Sequence, residues 1–372
     1  MQNSKPVFLD YASTCPVVKY PQQLYRNVLG EGYFLNPNAN YAYKEKRLLS
    51  EAESRVKKAI GAKSGKVVFG GTSSQLIENL MNYEFEGKRK FSRFTEYCIG
   101  SKYEHDSFNK FLVTRVTNTK QLIDALTKNR GFRGVTIWQG VNNITGEVFS
   151  VKEIGSICYG FNCFYICDMT AMIGKAQIPT NIDQWCDCAV WSGHKLGTEL
   201  GIGAMWISDR LDKWLNGFKL HGTPNLAGAL ALTQAVEEAC DSHKLGQNMI
   251  YYGELLDHLI DGLIENNIDF QLVPEYEDNE PSNKFALAIN AIRLPGFNAR
   301  ALQSYLASKE TFIGLGQSSC VEEADRRILC QGYGLSEQEA DEVVRISFSE
   351  NSDEGDIKAF VQKVKEFKEN FL

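Results

Sequence analysis

Short apolar segments alternate with amphipathic helical patterns along much of this chain. The apolar segments lie close to Gly, Asn or Asp, and the clearest are Val135–Trp138, Phe164–Cys167, Cys188–Trp191 and Ile202–Ile207. Helical patterns such as Thr119–Lys128 and Val151–Tyr159 lie between them. Because strands that alternate with helices form parallel sheets covered on both faces, we predict an α/β fold with a mostly parallel sheet.

The pattern changes in the last third of the chain. Asn225 to about Ile264 forms one long helical stretch, and a mixed order of strands and helices follows it. That order is Phe285–Ile292, Ala299–Ser308, Thr311–Leu315, Val343–Phe348 and Asp353–Asn370. We therefore predict a large domain over residues 14–244 and a smaller α+β domain over residues 245–372, which the N-terminal segment 1–13 joins.

The composition argues against several classes of protein. The net charge of −6 gives no reason to expect binding to nucleic acid or to an anionic membrane. No apolar run approaches the ~18 residues of a membrane span, and the N-terminus lacks the apolar core of a signal peptide. The ten cysteines are scattered. We expect free thiols and a cytoplasmic protein, with no metal at Cys186-Asp187-Cys188 because no second pair has zinc-like spacing.

Polar residues follow five of the predicted strands. They are Gly70-Gly71-Thr72-Ser73-Ser74, His105, Asn142-Asn143, Asp168 and His194-Lys195. Ligands of doubly wound sheets bind at the carboxyl ends of the strands. We therefore expect these residues to converge on one crevice.

Each of these residues has a structural and a functional interpretation. A buried lysine such as Lys195 is costly unless it is paired or its pKa is lowered, and a desolvated amine can form a Schiff base. The segment Gly71-Thr72-Ser73-Ser74 would either cap a helix or hold a phosphate at its N-terminus. Asp168 would either cap a turn or pair with a protonated pyridine nitrogen. His105 would either satisfy local hydrogen bonds or stack on a flat cofactor.

Seven segments, taken in order along the chain, resemble the motifs of one enzyme family. They are LDYASTCP, LNPNANYAYKEKRLLSEAESRVKKAIGA, VNNITGEVFSVKEIG, YICDMTAMIGK, SGHKLGTELGIGAMWI, HGTPN and GQSSC. Through them the chain resembles the class V aminotransferases, which are fold-type I enzymes dependent on pyridoxal phosphate, and among these the cysteine desulfurases. The resemblance covers nearly the whole chain. It implies a seven-stranded, mostly parallel sheet in the large domain.

The resemblance assigns roles to the residues that match the motifs. It implies that Lys195 holds pyridoxal 5′-phosphate as an internal aldimine, that Asp168 pairs with the pyridine nitrogen, and that His105 stacks on the ring. Asn143 would contact the cofactor or the substrate. The phosphate would be held by Ser73, Ser74, Ser192 and His194.

Two further residues match positions that define the substrate site and the assembly. Arg345, in VVRISFS, matches the arginine that binds the substrate α-carboxylate, a task suited to a planar bidentate donor. Thr223, in HGTPN, matches the threonine that reaches the phosphate of a partner subunit. The resemblance therefore implies a homodimer.

Cys320 decides which reaction the resemblance implies. In the similar enzymes a loop thiolate attacks the sulfur of L-cysteine, so that alanine leaves and the persulfide sulfur passes to an acceptor protein. The segment GLGQSSCVEEAD has the composition of an exposed loop, whereas a buried structural role suits Cys163 or Cys167 better. The acidic residues after Cys320 would raise the pKa of its thiol. Cys330 is a possible second thiol but does not match the motif.

The chain departs from the family pattern near the cofactor. Ala171 stands where the family has the glutamine that contacts the phenolic oxygen, which makes Thr170 or Asn143 the alternative donor. Ser74 and Gln75 replace a threonine and a glutamate, and the segment before HGTPN is shorter. These departures leave two alternatives open: another pyridoxal phosphate reaction, such as selenocysteine or cysteine-sulfinate lysis, transamination or epimerisation, and a non-catalytic homologue that binds partners.

Overall fold

The computed structural model describes residues 6–16, 19–31, 36–85, 89–90, 97–130, 134–275, 284–316 and 326–372. These residues divide into two compact units. We call the described residues of 15–141 and 149–245 the large unit, and those of 1–14, 142–148 and 246–372 the small unit. Residues 142–148, which the sequence assignment put in the large domain, thus group with the small unit.

The helices and strands follow one another in an α/β order and then in an α+β order. The helices are α1 (Lys19–Gly30), α2 (Tyr43–Ala59), α3 (Ser73–Met81), α4 (Asp106–Asn109), α5 (Thr119–Lys128), α6 (Val151–Gly160), α7 (Asp209–Trp214), α8 (Leu226–Ala239), α9 (Ser242–Glu265), α10 (Ala299–Ser308), α11 (Glu337–Ala340) and α12 (Glu354–Phe371). The strands are β1 (Val7–Leu9), β2 (Lys66–Gly70), β3 (Glu84–Phe85), β4 (Arg89–Lys90), β5 (Cys98–Ser101), β6 (Thr114–Val116), β7 (Val135–Ile137), β8 (Phe164–Asp168), β9 (Cys188–Ser192), β10 (Gly203–Ile207), β11 (Gln271–Val273), β12 (Ile289–Arg293), β13 (Thr311–Leu315) and β14 (Val343–Ser347). Within the described ranges, no helix is both long and apolar enough to cross a membrane.

The large unit is built on a seven-stranded sheet in the order β2-β10-β9-β8-β7-β5-β6. Only β10 runs antiparallel to its neighbours in this sheet, so the prediction of a mostly parallel seven-stranded sheet is confirmed. Every residue of β8, β9 and β10 is buried, which requires cover on both faces. This architecture is that of the fold-type I enzymes.

The small unit contains a five-stranded sheet in the order β1-β13-β14-β12-β11. Its edge strand β1 comes from the N-terminal segment and pairs with β13 in parallel. The other pairs are antiparallel. The N-terminal segment is therefore a strand of this sheet.

Two elements differ from the sequence pattern for identifiable reasons. The helical stretch from Asn225 is interrupted after α8, because the Asp241 side chain accepts a hydrogen bond from the Lys244 N–H at 2.8 Å and starts a new helix. The strand expected from Phe285 begins at Ile289 instead. Phe285 forms an isolated bridge with Glu147, which holds it outside the β12 ladder.

Candidate active site

Gly203 brings two strand ends of the large unit together. As the first residue of β10, it pairs with Ser192 of β9 on one side and with Gly70 of β2 on the other. A Cβ at this position would lie 3.0 Å from the Ser73 nitrogen and 3.0 Å from the Trp191 carbonyl oxygen. The absence of a side chain therefore lets the N-terminus of α3 approach the end of β9.

The turn that follows β9 carries the predicted cofactor lysine. Ser192 is buried, and the 3-10 turn Gly193–Leu196 holds His194 and Lys195 half-buried. The Cys15 N–H donates a hydrogen bond to the His194 carbonyl oxygen at 2.9 Å, which fixes the turn. Burial, and next the charge of Lys195, lower the pKa of His194 below its usual value of 6.5. The imidazole of His194 is therefore neutral at pH 7.

The N-terminus of α3 is capped by Thr72. The Thr72 Oγ1 accepts a hydrogen bond from the Gln75 N–H at 3.1 Å. The helix cap expected within Gly71-Thr72-Ser73-Ser74 is thus Thr72, and Ser73 and Ser74 are the first residues inside the helix. Because the first N–H groups of a helix lack intrahelical acceptors, this end is suited to an anion such as phosphate.

His105 is tied to the start of α3 through Ser107. The Ser107 N–H donates to His105 Nδ1 at 3.2 Å, and the Ser107 hydroxyl lies 3.0 Å from the same nitrogen. The hydroxyl also lies 2.7 Å from the Ser74 hydroxyl. The imidazole of His105 therefore caps α4, as its structural interpretation predicts, while its stacking on a cofactor stays a prediction.

Asp168 ends the buried strand β8 beside β9. Its carboxylate accepts a hydrogen bond from the Thr170 N–H at 2.9 Å. Thr170 is 8% exposed, and its hydroxyl has no hydrogen-bond partner among the described residues. Ala171 is also buried. The strand end thus presents a carboxylate and an unpartnered donor.

Thr223 lies on the surface of the large unit. It is exposed and lines a cavity of about 640 Å³ together with Gly71 and Gln75. The cavity therefore connects the HGTPN segment with the loop that leads into α3.

Arg345 and Asn143 belong to the small unit. Arg345 is 4% exposed. Its Nη1 donates a hydrogen bond to the Asn143 carbonyl oxygen at 2.9 Å. Its Nη2 donates to Asp10 Oδ1 at 2.8 Å and to the Ser13 hydroxyl. Its Nε has no partner in the part of the chain that the structure describes, and neither has Asn143 Oδ1. A Cβ at Gly314 would lie 2.7 Å from this Nε. Three of its five N–H groups are thus used, and the buried Nε–H has no partner among the described residues.

The predicted nucleophile Cys320 lies outside the described residues. Cys163 and Cys167 are buried, as the sequence predicts for structural thiols, and burial raises the pKa of Cys167. Cys330 is half-buried in a π-helical turn, Ile328–Gly332. Over the described ranges, no group of three or more His, Cys, Asp or Glu side chains is arranged to hold a metal ion.

The residues of the large unit fit pyridoxal phosphate. Three parts of that molecule need protein partners: the aldehyde, the pyridine nitrogen and the phosphate. The large unit offers a half-buried lysine for the first, a carboxylate at a strand end for the second and a helix N-terminus for the third. The Thr170 hydroxyl is a buried donor with no hydrogen-bond partner among the residues that the structure describes. The predicted cofactor residues Lys195, Asp168, His105, Ser73, Ser74, Ser192 and His194 all lie at or just beyond strand ends of one sheet.

Sequence reasoning missed three residues that contact predicted site residues. Ser107 follows His105 by two positions, in the segment KYEHDSF, and its hydroxyl in the first turn of a helix is the signal that could have indicated it. Asp10 and Ser13 lie in LDYASTCP and bind Arg345, more than 330 residues away along the chain. No local pattern reveals a pairing over that separation.

The comparisons with known proteins agree with this architecture. The model of the family Aminotransferase class-V matches residues 7–360. The cysteine desulfurase IscS of Mannheimia succiniciproducens is 23% identical over 97% of this chain and 92% of its own length. That of Dictyoglomus turgidum is 27% identical over 63% of this chain, an alignment that spans 64% of the relative and thus under two thirds of it.

A solved structure shows the same fold. The NifS-like protein from Rickettsia africae superposes with a TM-score of 0.80 over 98% of this chain and 100% of its own, at 19% identity. At that identity the likeness shows the fold alone. Because the family model matches nearly the whole chain, this chain belongs to the class-V aminotransferase family.

Proposed function

We propose that this protein is a pyridoxal phosphate-dependent cysteine desulfurase. It converts L-cysteine to L-alanine and passes the sulfur, as a persulfide on Cys320, to an acceptor protein. The observation that carries the proposal is the meeting, at Gly203, of the helix N-terminus suited to phosphate with the turn that bears Lys195. The relatives named cysteine desulfurase support the choice of reaction.

In this reaction the chain's own residues bind the cofactor and orient the substrate. When bound through Lys195, the cofactor supplies an electron sink for the bonds of the substrate's α-carbon. Asp168 keeps a positive charge on the ring nitrogen, and α3 with Ser73 and Ser74 anchors the phosphate. Arg345 orients the substrate carboxylate through the two N–H groups for which no described residue is an acceptor.

Cys320 supplies the step that separates this reaction from others in the family. Its thiolate attacks the substrate sulfur, so an S–S bond forms while the bond between Cβ and sulfur breaks. The electron pair of the broken bond stays on the carbon side, and a proton added there completes the methyl group of alanine.

We also propose that the protein acts as a homodimer. Thr223 is exposed, and it borders the cavity that leads to Gly71 and Gln75. A partner subunit placed there would receive the Thr223 hydroxyl at its own phosphate site. Light scattering of the purified protein measures the mass, and a monomer would contradict this part of the proposal.

The first test is the visible absorption of the purified protein. We expect a band from the lysine-bound cofactor in the wild type and in Lys213→Ala, which removes an exposed lysine of the same unit. The band should be absent from Lys195→Ala. If the wild type shows no band even with added pyridoxal phosphate, the protein is a binding homologue and the proposal is wrong.

The second test separates the possible reactions. With L-cysteine and a thiol reductant, which cleaves the persulfide to sulfide, we expect alanine and sulfide from the wild type and from Cys330→Ala, and neither from Cys320→Ala. Alanine release that survives in Cys320→Ala would show a lyase that needs no loop thiol. In that case the cofactor assignment would stand and the desulfurase assignment would fall.

A further inference from the structure

The segment Asn142–Val148 of the small unit forms a turn that is held by its first residue. The Asn142 Oδ1 atom accepts hydrogen bonds from the N–H groups two and three residues later, at 2.8 and 3.1 Å. The Asn142 N–H donates to the Glu147 carbonyl oxygen at 2.8 Å. Within this turn, the carbonyl oxygen of Asn143 accepts the hydrogen bond from Arg345 Nη1 at 2.9 Å. The conformation of the turn therefore decides where this acceptor of the guanidinium lies.

Tyr333 closes a ring of hydrogen bonds with the same turn. Its hydroxyl donates to Glu147 Oε2 at 2.8 Å and lies 2.8 Å from the Thr145 hydroxyl. Because the one proton of Tyr333 goes to the carboxylate, its oxygen accepts the proton of Thr145. The Thr145 oxygen in turn accepts a hydrogen bond from the Glu147 N–H at 3.3 Å. Every step of the ring thus joins a donor to an acceptor.

Both sides of this ring are fixed within the small unit. Thr145 is fully buried, so its hydroxyl would cost free energy without an acceptor, and among the described residues Tyr333 is that acceptor. Tyr333 directly follows the π-helical turn Ile328–Gly332, a rare geometry that is frequent at functional sites. The Gly334 N–H donates to the Cys330 carbonyl oxygen at 3.1 Å. The tyrosine therefore joins two ordered segments that are distant in the sequence.

We propose that Tyr333 is a positioning residue for substrate binding, which acts by holding the turn that directs the Asn143 carbonyl oxygen at Arg345. The inference rests on the proposed function, in which Arg345 binds the α-carboxylate of L-cysteine. It adds to that function a residue that orients the arginine without contacting the substrate.

The loss of the tyrosine hydroxyl has a defined consequence for the arginine. Tyr333→Phe removes two of the three hydrogen bonds of the ring and leaves the buried Thr145 hydroxyl without its acceptor. We expect the turn to shift and the Asn143 carbonyl oxygen to move away from Nη1. Because Arg345 is 4% exposed, water is poorly placed to replace that acceptor. The guanidinium is then held less firmly, and the binding of a carboxylate weakens.

Steady-state kinetics of the full-length protein with saturating pyridoxal phosphate test this role. In Tyr333→Phe we expect KM for L-cysteine and the inhibition constant of L-alanine to rise about three- to tenfold, with kcat and the affinity for the cofactor unchanged. Thr145→Val breaks the ring at another point and should give the same rise. Thr145→Ser keeps the hydroxyl and should restore the wild-type KM.

A double variant and a matched tyrosine complete the design. Tyr333→Phe combined with Thr145→Val should raise KM no further than either change alone, because both act through one ring. Tyr305→Phe is the control, since it removes a hydroxyl of the same unit that lies 3.4 Å from Glu366 Oε2 and has no bond to the turn. Its KM should equal that of the wild type.

The outcomes separate the positioning role from the function on which it rests. A raised KM in Arg345→Gln with an unchanged KM in Tyr333→Phe and Thr145→Val would overturn the positioning role alone. Variants of the ring that lose kcat or cofactor affinity at constant KM would also overturn it, because that result shows a structural role only. An unchanged KM in Arg345→Gln, or a wild type without activity toward L-cysteine, would overturn the underlying assignment instead.

Discussion

The Arg345 guanidinium occupies its place because residue 314 is a glycine. A Cβ there would lie 2.6 Å from Asp10 Oδ1 and 2.7–2.8 Å from two nitrogens of Arg345. Gly314→Ala should therefore displace the guanidinium from its partners. Since charge-assisted hydrogen bonds contribute about 1.5–3 kcal/mol, we expect KM for L-cysteine to rise about tenfold or more. Steady-state kinetics at saturating cofactor measure it.

Gly246→Ala is the matched control for this change. It also lies in the small unit, and a Cβ there would meet nothing within 4 Å. Its KM should equal that of the wild type. If KM is also unchanged in Gly314→Ala, Arg345 does not bind the substrate carboxylate.

Thr170 carries a buried hydroxyl that lacks a hydrogen-bond partner among the described residues. A hydroxyl buried in this way costs about 1–3 kcal/mol. Thr170→Val should accordingly raise the free energy of unfolding of the cofactor-free protein by about 1 kcal/mol. If the hydroxyl donates to the phenolic oxygen of the cofactor, the same variant should bind pyridoxal phosphate about three- to tenfold more weakly.

Two measurements separate these effects of Thr170→Val. Denaturant unfolding gives the stability of the cofactor-free protein, and fluorescence titration gives the affinity for pyridoxal phosphate. Thr170→Ser keeps the hydroxyl and should keep most of the affinity. Equal affinity in the wild type and Thr170→Val would assign the contact to another donor.

At the scale of helices and strands, sequence periodicity predicted the elements whose bounds depend on residues close in the sequence. Helices α5 and α10 and strand β13 have the expected bounds, because their apolar spacing or caps are local signals. The break after α8 was missed, since its signal is a single aspartate, Asp241, that caps the start of a second helix within a continuous helical pattern. The late start of β12 was missed because Phe285 pairs with Glu147, which is distant in the sequence.

For the candidate site, too, the sequence indicated the residues that local signals mark and not the contacts between them. The order of strand ends and the family motifs indicated Lys195, Asp168 and His105, because each follows a strand directly or within a few residues. The hydrogen bonds that fix them depend on side-chain positions, which no sequence spacing determines. The contact of Ser107 with Ser74 is of this kind.

Helix α6 contains two glycines in contrasting surroundings. A Cβ at Gly155 would lie 1.9 Å from the Trp185 carbonyl oxygen, and backbone cannot move aside cheaply. A Cβ at Gly160 would meet nothing within 4 Å. Gly155→Ala should lower the free energy of unfolding by about 2 kcal/mol or more, although alanine favours helix by about 1 kcal/mol. Thermal unfolding measures the difference.

Gly160→Ala in the same helix is the control for that change. It should leave Tm equal or slightly raised, because only the helix propensity changes. If Gly155→Ala proves as stable as Gly160→Ala, the close approach of α6 to Trp185 is not a constraint on packing.

For the whole molecule, the two units do not follow the order of the chain, because each unit combines stretches that are separate in the sequence. The small unit combines three separate stretches of chain, and its strand β1 pairs with β13 about 300 residues later. Such pairing involves the closure of a long loop, whose entropic cost grows only slowly with length. The distance between β1 and β13 along the chain therefore costs the folded protein little stability. Local sequence patterns, however, cannot predict a pairing over that distance.

The stability of the whole molecule should depend on pH through His194. Its pKa is lowered in the folded protein by burial and by Lys195, whereas the unfolded chain has the usual value of 6.5. Between these two values the unfolded chain binds more protons, so stability rises with pH there. The contribution is fully present above pH 6.5 and is lost as the pH falls through the folded value.

We expect Tm of the cofactor-free protein to fall from about pH 7.5 to pH 5.5, and to fall less in His194→Gln. Equal slopes in His194→Gln and the wild type would show that His194 protonates as easily in the folded protein as in the unfolded chain.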